Sequence, residues 1–163
     1  MFDKNEEPDL QRHKKLPIYQ KAMEIVELVD AMVALIPEED EMLQDVKRQM
    51  LMDAYQIPAK IAGAEGGELY DIRMENAAII RKAARELVTQ THALEMFGFE
   101  EEEYFQLLRQ EVEALRVLFV EWVESFDPWN YIIDRWGLFN PPGKTAHDKD
   151  PDDDLPFDPD DRF

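Results

Sequence analysis

The chain contains no cysteine, only three histidines and six glycines in 163 residues, and half as many bases as acids. Without cysteine there is no disulfide, no thiolate metal site and no thiol nucleophile. Lys and Arg number 18 against 37 Asp and Glu, a formal net charge of −19. The acidity is not confined to one end: residues 1–143 hold 29 acids against 15 bases, and residues 144–163 hold 8 Asp against 3 bases. Such a body repels phosphate backbones, which argues against direct nucleic-acid binding. Arg12, His13, Lys14 and Lys15 form the one obvious basic cluster. No apolar run approaches the roughly 18 residues of a membrane span. The N-terminal Met1-Phe-Asp-Lys-Asn-Glu-Glu-Pro8 has neither the basic start nor the apolar stretch of a secretion signal, so a soluble cytoplasmic protein is expected.

What is present is helical periodicity. Apolar content of 45% suffices for a real core. After Pro17, placed for a first helical turn, Ile18, Ala22, Ile25, Val29, Met32 and Ile36 recur at steps of four and three. Pro37 ends this stripe. A second helix is expected to start within Glu38–Glu41, where acids suit the positive helix N-terminus. It carries Leu43, Val46, Met50, Ala54, Ile57 and Ile61, with a kink expected at Pro58 and an exit at Gly63, Gly66 and Gly67. The third stripe is Ala77, Ile80, Ala84, Leu87, Thr91 and Leu94, ending at Gly98. The fourth is Phe105, Leu108, Val112, Leu115, Phe119, Trp122 and Phe126, and the acids Glu100–Glu103 stabilise its start. Four such helices with short connections predict an all-α, antiparallel up-down four-helix bundle over residues 16–126. A flexible arm is expected over 1–15. Asp127-Pro128 followed by Trp129, Ile132, Ile133 and Trp136, closed by Gly137, predicts a short aromatic helix over 127–140. A disordered acidic tail is expected over 141–163, because its Asp and Pro have little to bury.

The residues offer little chemistry. A di-iron bundle needs Glu-x-x-His pairs, but Thr89 and Lys144 stand three residues before His92 and His147. Bundles that hydrolyse nucleotides hold Mg²⁺ on sets such as Glu-x-x-Glu with Glu-x-x-Asp. Glu38/Glu41, Glu68/Asp71 and Glu121/Glu124 match by letter, as is expected among 37 acids. Gly63-Ala-Glu-Gly-Gly67 lacks the Lys-Ser/Thr of a phosphate loop. Asp53 falls at the edge of the second stripe, where a carboxylate reaches solvent or a neighbouring base. No catalytic residue, cofactor or metal ligand is assigned.

Two features point to interaction instead. Met23, Val26, Leu28 and Val33 widen the apolar face of the first helix, and Leu107, Val117, Leu118 and Val123 that of the fourth. Wide faces suggest a second buried surface, either between subunits or beneath the Trp129–Phe139 segment. The tail sets Leu155, Phe157 and Phe163 among Asp152, Asp153 and Asp154, the look of a docking motif for a protein with a basic, partly apolar pocket. A merely solubilising tail is the other reading. Trp129 and Trp136 are further candidates for partner contact.

Leu16-Pro-Ile-Tyr-Gln-Lys-Ala22, Gln49, Ile57-Pro-Ala-Lys-Ile-Ala62 with Glu65-Gly66, and Ala84-Arg-Glu-Leu-Val-Thr-Gln-Thr-His-Ala-Leu-Glu-Met-Phe-Gly98 together carry a likeness. Over residues 16–126 the chain resembles the four-helix-bundle family encoded in bacterial ribosomal-RNA intervening sequences. That family includes the accessory variability proteins of diversity-generating retroelements. Its version runs close to Asn-Ile-Ala-Glu-Gly; here Lys60 stands for the Asn and Gly63-Ala64 are inserted. The resemblance implies a ring-like homo-oligomer, often a pentamer, without catalysis. Retroelement members bind nucleic acid and a reverse transcriptase through a basic surface. Asp152-Asp-Asp-Leu-Pro-Phe157 is similar to the acidic tip of bacterial single-stranded-DNA-binding proteins, which docks on DNA-maintenance enzymes. The leading expectation is a non-enzymatic oligomeric scaffold that recruits a partner through its tail. An accessory factor for a nucleic-acid-processing enzyme comes second, and a Mg-dependent nucleotide pyrophosphatase third.

Overall fold

The computed structural model describes residues 11–153, and among them it is all-helical with no strand. The helices are α1 (Pro17–Val33), α2 (Glu41–Gly66), α3 (Tyr70–Met96) and α4 (Glu102–Glu124). Each has a local reason to begin or end where it does. Pro17 opens α1 at a position whose N–H would lack a helical partner anyway. Asp40 caps α2 by accepting the Leu43 N–H at 3.1 Å. α2 continues through Pro58 and ends at Gly66, with Gly67 as its cap, within the expected exit at Gly63, Gly66 and Gly67. Gly98 ends the α3 turn at φ +88°, a conformation glycine adopts without steric cost, while Phe99 N–H returns to Leu94 O.

Helices adjacent in sequence pack together, and α1 closes on α4. The diagonal pairs do not meet. The predicted stripes point inward. Ile25, Val29 and Met32 of α1 meet Met50, Ile57 and Ile61 of α2, Ile80, Leu87 and Leu94 of α3, and Phe105, Leu108 and Leu115 of α4 in one core. Each such side chain contributes roughly 1.5–3 kcal/mol on burial. The seams differ. Small residues let α2 and α3 approach closely: Ala54, Ala64, Ala77 and Ala83 are buried, and a Cβ at Gly63 would stand 3.4 Å from Asn76 Oδ1. The α3–α4 seam is the thinnest in the bundle.

The wide face of α1 is covered within the chain itself except at Met23, which is exposed. Val26 and Val33 are buried and Leu28 packs against the core. On α4 the extra face is only half covered: Leu118 and Val123 pack inward, while Leu107 and Val117 are exposed.

Three expectations outside the stripes need correction. Residues 12–15 are not loose: Arg12–Lys15 form a 3-10 turn against α1 and α2. His13 meets the Tyr19 ring edge-on at 4.9 Å, and Arg12 donates to Glu65 O. The aromatic segment 127–140 is not a helix but a string of turns. Its backbone groups have other partners: Asn130 O accepts the Tyr70 N–H, Ile133 N–H goes to Asp150 Oδ1, and Asp134 N–H goes to Asn140 Oδ1. Asx-type bonds of this kind compete with the helical ladder, and the tryptophans, tyrosine and isoleucines here are weak helix formers. Finally, residues 141–153 fold back on 127–140. Pro141 is buried, and the Arg135 guanidinium donates to Ala146 O and Asp148 O.

Candidate interaction site

The folded-back segment holds its tryptophans outward. Asp134 is the staple. Its Oδ1 accepts the Trp136 N–H at 3.0 Å, and its Oδ2 accepts those of Leu138 at 2.9 Å and Phe139 at 2.8 Å. These donors, that of Phe139 foremost, hold the carboxyl below the usual aspartate range although burial opposes them. Gly137 turns the chain at φ +73°. Arg135 adds an ion pair to Asp150 at 3.3 Å, and buried Ile133 anchors the segment to the body. On this fixed backbone Trp129 is 82% exposed, Trp136 96%, Leu138 72% and Ile132 51%. One short segment thus shows four large apolar groups to water, and tryptophan is among the side chains enriched at binding hot spots.

The predicted tail residues divide. Asp152 and Asp153 are exposed, and Asp153 Oδ2 accepts the Asp150 N–H at 2.9 Å. Asp154, Leu155, Phe157 and Phe163 lie outside the described residues.

A second concave surface follows from the thin seam. Between α3 and α4 runs an open groove of about 610 Å³, lined by buried Ile80, Ala84 and Leu115, half-buried Val88, Val112 and Phe119, and exposed Val120. Its rim carries Arg81 and Arg85 on successive turns of α3, with Arg116 and Glu113 on α4. Arg116 is forked onto Glu113 at 2.6–2.9 Å. The guanidinium groups of Arg81 and Arg85 make no hydrogen bond or ion pair with any described residue, although the Arg85 backbone carbonyl accepts from Thr89 Oγ1 at 3.2 Å. Two unneutralised guanidiniums are unusual in a chain with twice as many acids as bases.

Two polar clusters lock the frame. Asp53 is buried at 5% exposure, not at a solvated edge as its position in the stripe suggested. It accepts from Gln90 Nε2 at 2.9 Å and more weakly from Gln49 Nε2 at 3.4 Å, joining α2 to α3. Burial raises its pKa, against the two amide donors. At the bundle end where α3 begins, Glu65 Oε1 accepts from Arg73 at 2.7 Å and from Trp122 Nε1 at 2.8 Å. The Arg73 guanidinium also lies 4.2 Å over the Phe126 ring. Sequence spacing could not find this node, because its members come from α2, α3 and the end of α4. The fourth stripe held Trp122 and Phe126, and the family likeness held Glu65, but nothing in the spacing joined them to Arg73.

The first two acidic pairs matched by letter do not converge. Glu38/Glu41 and Glu68/Asp71 stand at opposite ends of α2, about 39 Å apart at 1.5 Å per residue. Among the described residues no three acids or histidines form a cluster that would hold a metal ion, and no helix is long and apolar enough to cross a membrane. Pro58, where a kink in α2 is expected, lies buried inside the continuous helix. No protein-family model matches this chain, and no curated protein matches it either.

Proposed function

We propose that the chain is a non-enzymatic, self-associating scaffold of the four-helix-bundle family it resembles, and that it recruits a partner protein through the acidic-apolar segment 154–163. The observation that carries the first half is the stapled platform of Trp129, Ile132, Trp136 and Leu138, exposed on a backbone ordered by six carboxylate or amide contacts at Asp134, Asn140 and Asp150. A monomer leaves such groups in water at a cost of roughly 25 cal/mol per Å². Covering them by a second copy removes that cost, and because the backbone is already fixed, little ordering entropy opposes it. Leu107 and Val117 of α4 extend the apolar surface available to an assembly.

Recruitment rests on the sequence of the end segment, where Leu155, Phe157 and Phe163 alternate with four Asp. Light scattering of the full chain tests assembly: a mass well above one chain is expected, falling toward one chain in Trp129→Ala/Trp136→Ala. A monomer at micromolar concentration refutes it. Pull-downs from the source cell test recruitment, comparing the full chain with one ending at Asp153, since residues 141–153 belong to the folded body. Equal capture by both refutes the tail's role. Nucleotide turnover abolished by Glu38→Gln or Glu68→Gln would replace this reading by the hydrolase one.

A further inference from the structure

We infer that the groove between α3 and α4 is the docking site for the chain's own residues 154–163, so that the scaffold covers its recruiting segment when no partner is present. This rests on the reading of that segment as a peptide ligand. The argument is charge and shape together. The segment is Asp-Leu-Pro-Phe-Asp-Pro-Asp-Asp-Arg-Phe, with four acids, one base and three large apolar groups. A surface to receive it must be locally basic and floored with apolar side chains. The groove has that composition: buried Ile80 and Leu115 with half-buried Val88, Val112 and Phe119 form its apolar lining, and three guanidiniums stand with one carboxylate at the rim. Arg116 is already neutralised by Glu113, which leaves Arg81 and Arg85 as the cations awaiting an acid. They lie four residues apart, about 6 Å along α3, a spacing that two aspartates on an extended chain can match.

Reach is sufficient. The body hands the segment over at the correct end of the bundle, because Asn130 O holds the Tyr70 N–H at the start of α3 and Ile133 N–H is bound to Asp150. From Tyr70 to the groove's near end at Ile80 is about 15 Å of helix. Ten extended residues span about 33 Å.

The chain's lack of cysteine makes a direct test simple. Asp160→Cys in the full chain carries a nitroxide label, and methyl resonances are read by NMR. Broadening is expected at Val88, Val112 and Val120, with Met42 and Met52 on the exposed face of α2 left sharp. Arg81→Glu/Arg85→Glu should lower the docked population about tenfold, equivalent to about 1.4 kcal/mol from two ion pairs. Phe157→Ala should lower it through the floor instead, with less dependence on salt. Broadening that is absent, equal on both faces, or unchanged by the double reversal overturns the assignment. A mixture of spin-labelled chain with isotope-labelled, unspun chain separates the occupants: broadening across chains would give the groove to a second copy's segment and also overturn it. The pull-down keeps the two ideas apart. Partner capture lost on truncation after Asp153, with no groove broadening, sinks the docking and leaves recruitment standing. Broadening with undiminished capture does the reverse.

Discussion

The bundle and the segment that follows it are ordered by opposite means. Residues 17–124 are held by apolar side chains repeating on the helical period, with twelve large ones almost wholly withdrawn from water. Residues 127–153 bury little beyond Ile133 and Pro141, and are held instead by carboxylate and amide side chains that accept or donate at the backbone. The first kind of order spreads stability over many weak contacts. The second concentrates it on single residues such as Asp134, and it leaves the apolar groups free to face outward.

The largest effect should come from the core. Phe105 has no exposure, and Phe105→Ala should cost about 3–5 kcal/mol, lowering the denaturation midpoint without changing the helical spectrum of the native state. Next is the ionic node. Glu65→Ala strands the Arg73 guanidinium and the Trp122 indole N–H, both largely buried, and should cost about 3 kcal/mol. Glu65→Gln should recover part of this, since its amide oxygen still accepts from Trp122. If Glu65→Ala proves as mild as a surface change, the bundle is ordered by apolar burial alone and differs still more from residues 127–153.

Asp53 sharpens the comparison from inside the bundle, because it is a carboxylate where the rule is apolar. Its folded pKa is raised, by burial first, so the folded state binds the proton more tightly than the unfolded chain. Stability should therefore fall as pH rises from the ordinary aspartate value, about 3.9, through the folded value. Asp53→Asn should remove that slope. It should also stabilise the protein at pH 7 by about 1 kcal/mol, since an Asn amide can donate to Gln90 Oε1, which is buried without a partner. Urea titrations of both proteins at several pH values measure this. A wild-type slope of the opposite sign would contradict the assignment.

The same division explains what could be read from the residues beforehand. All four stripes were legible because burial imposes a period on sequence: Ile25, Met50, Leu87 and Leu108 fall where counting by three and four puts them. Asp53 was misplaced because period alone does not say whether a polar residue at a stripe's edge finds a partner on the next helix, and Gln90 lies 37 positions away. Residues 127–140 were read as helix because Asp-Pro and Gly are genuine boundary residues. Here they bound turns, and the decisive partners, Tyr70 and Asp150, are not local. Trp129 and Trp136 were legible as contact candidates by residue type alone. Arg81 and Arg85 carried no signal, since an unpaired cation is recognised only when its surroundings are known.

The smallest global effect should come from Asp134, and it is the sharpest probe of the comparison. Asp134→Ala removes the acceptor of three backbone N–H groups while touching nothing in the core. The bundle's helical melting transition should stay in place, because the residues it depends on lie elsewhere. Local order should not survive: amides of Trp136, Leu138 and Phe139 should lose hydrogen-exchange protection, and the proposed self-association should weaken as the platform becomes entropically costly to dock. Acid should act on the wild type in the same way. The folded pKa of Asp134 is depressed, so its contribution is complete above the ordinary value of about 3.9 and is lost only as pH falls through the lower folded value. Protection of those three amides should therefore persist below the usual aspartate range and then disappear, while that of α1–α4 amides remains. If Asp134→Ala lowers the melting of the whole bundle as much as Glu65→Ala does, the segment is part of the cooperative core and not a separately stapled platform.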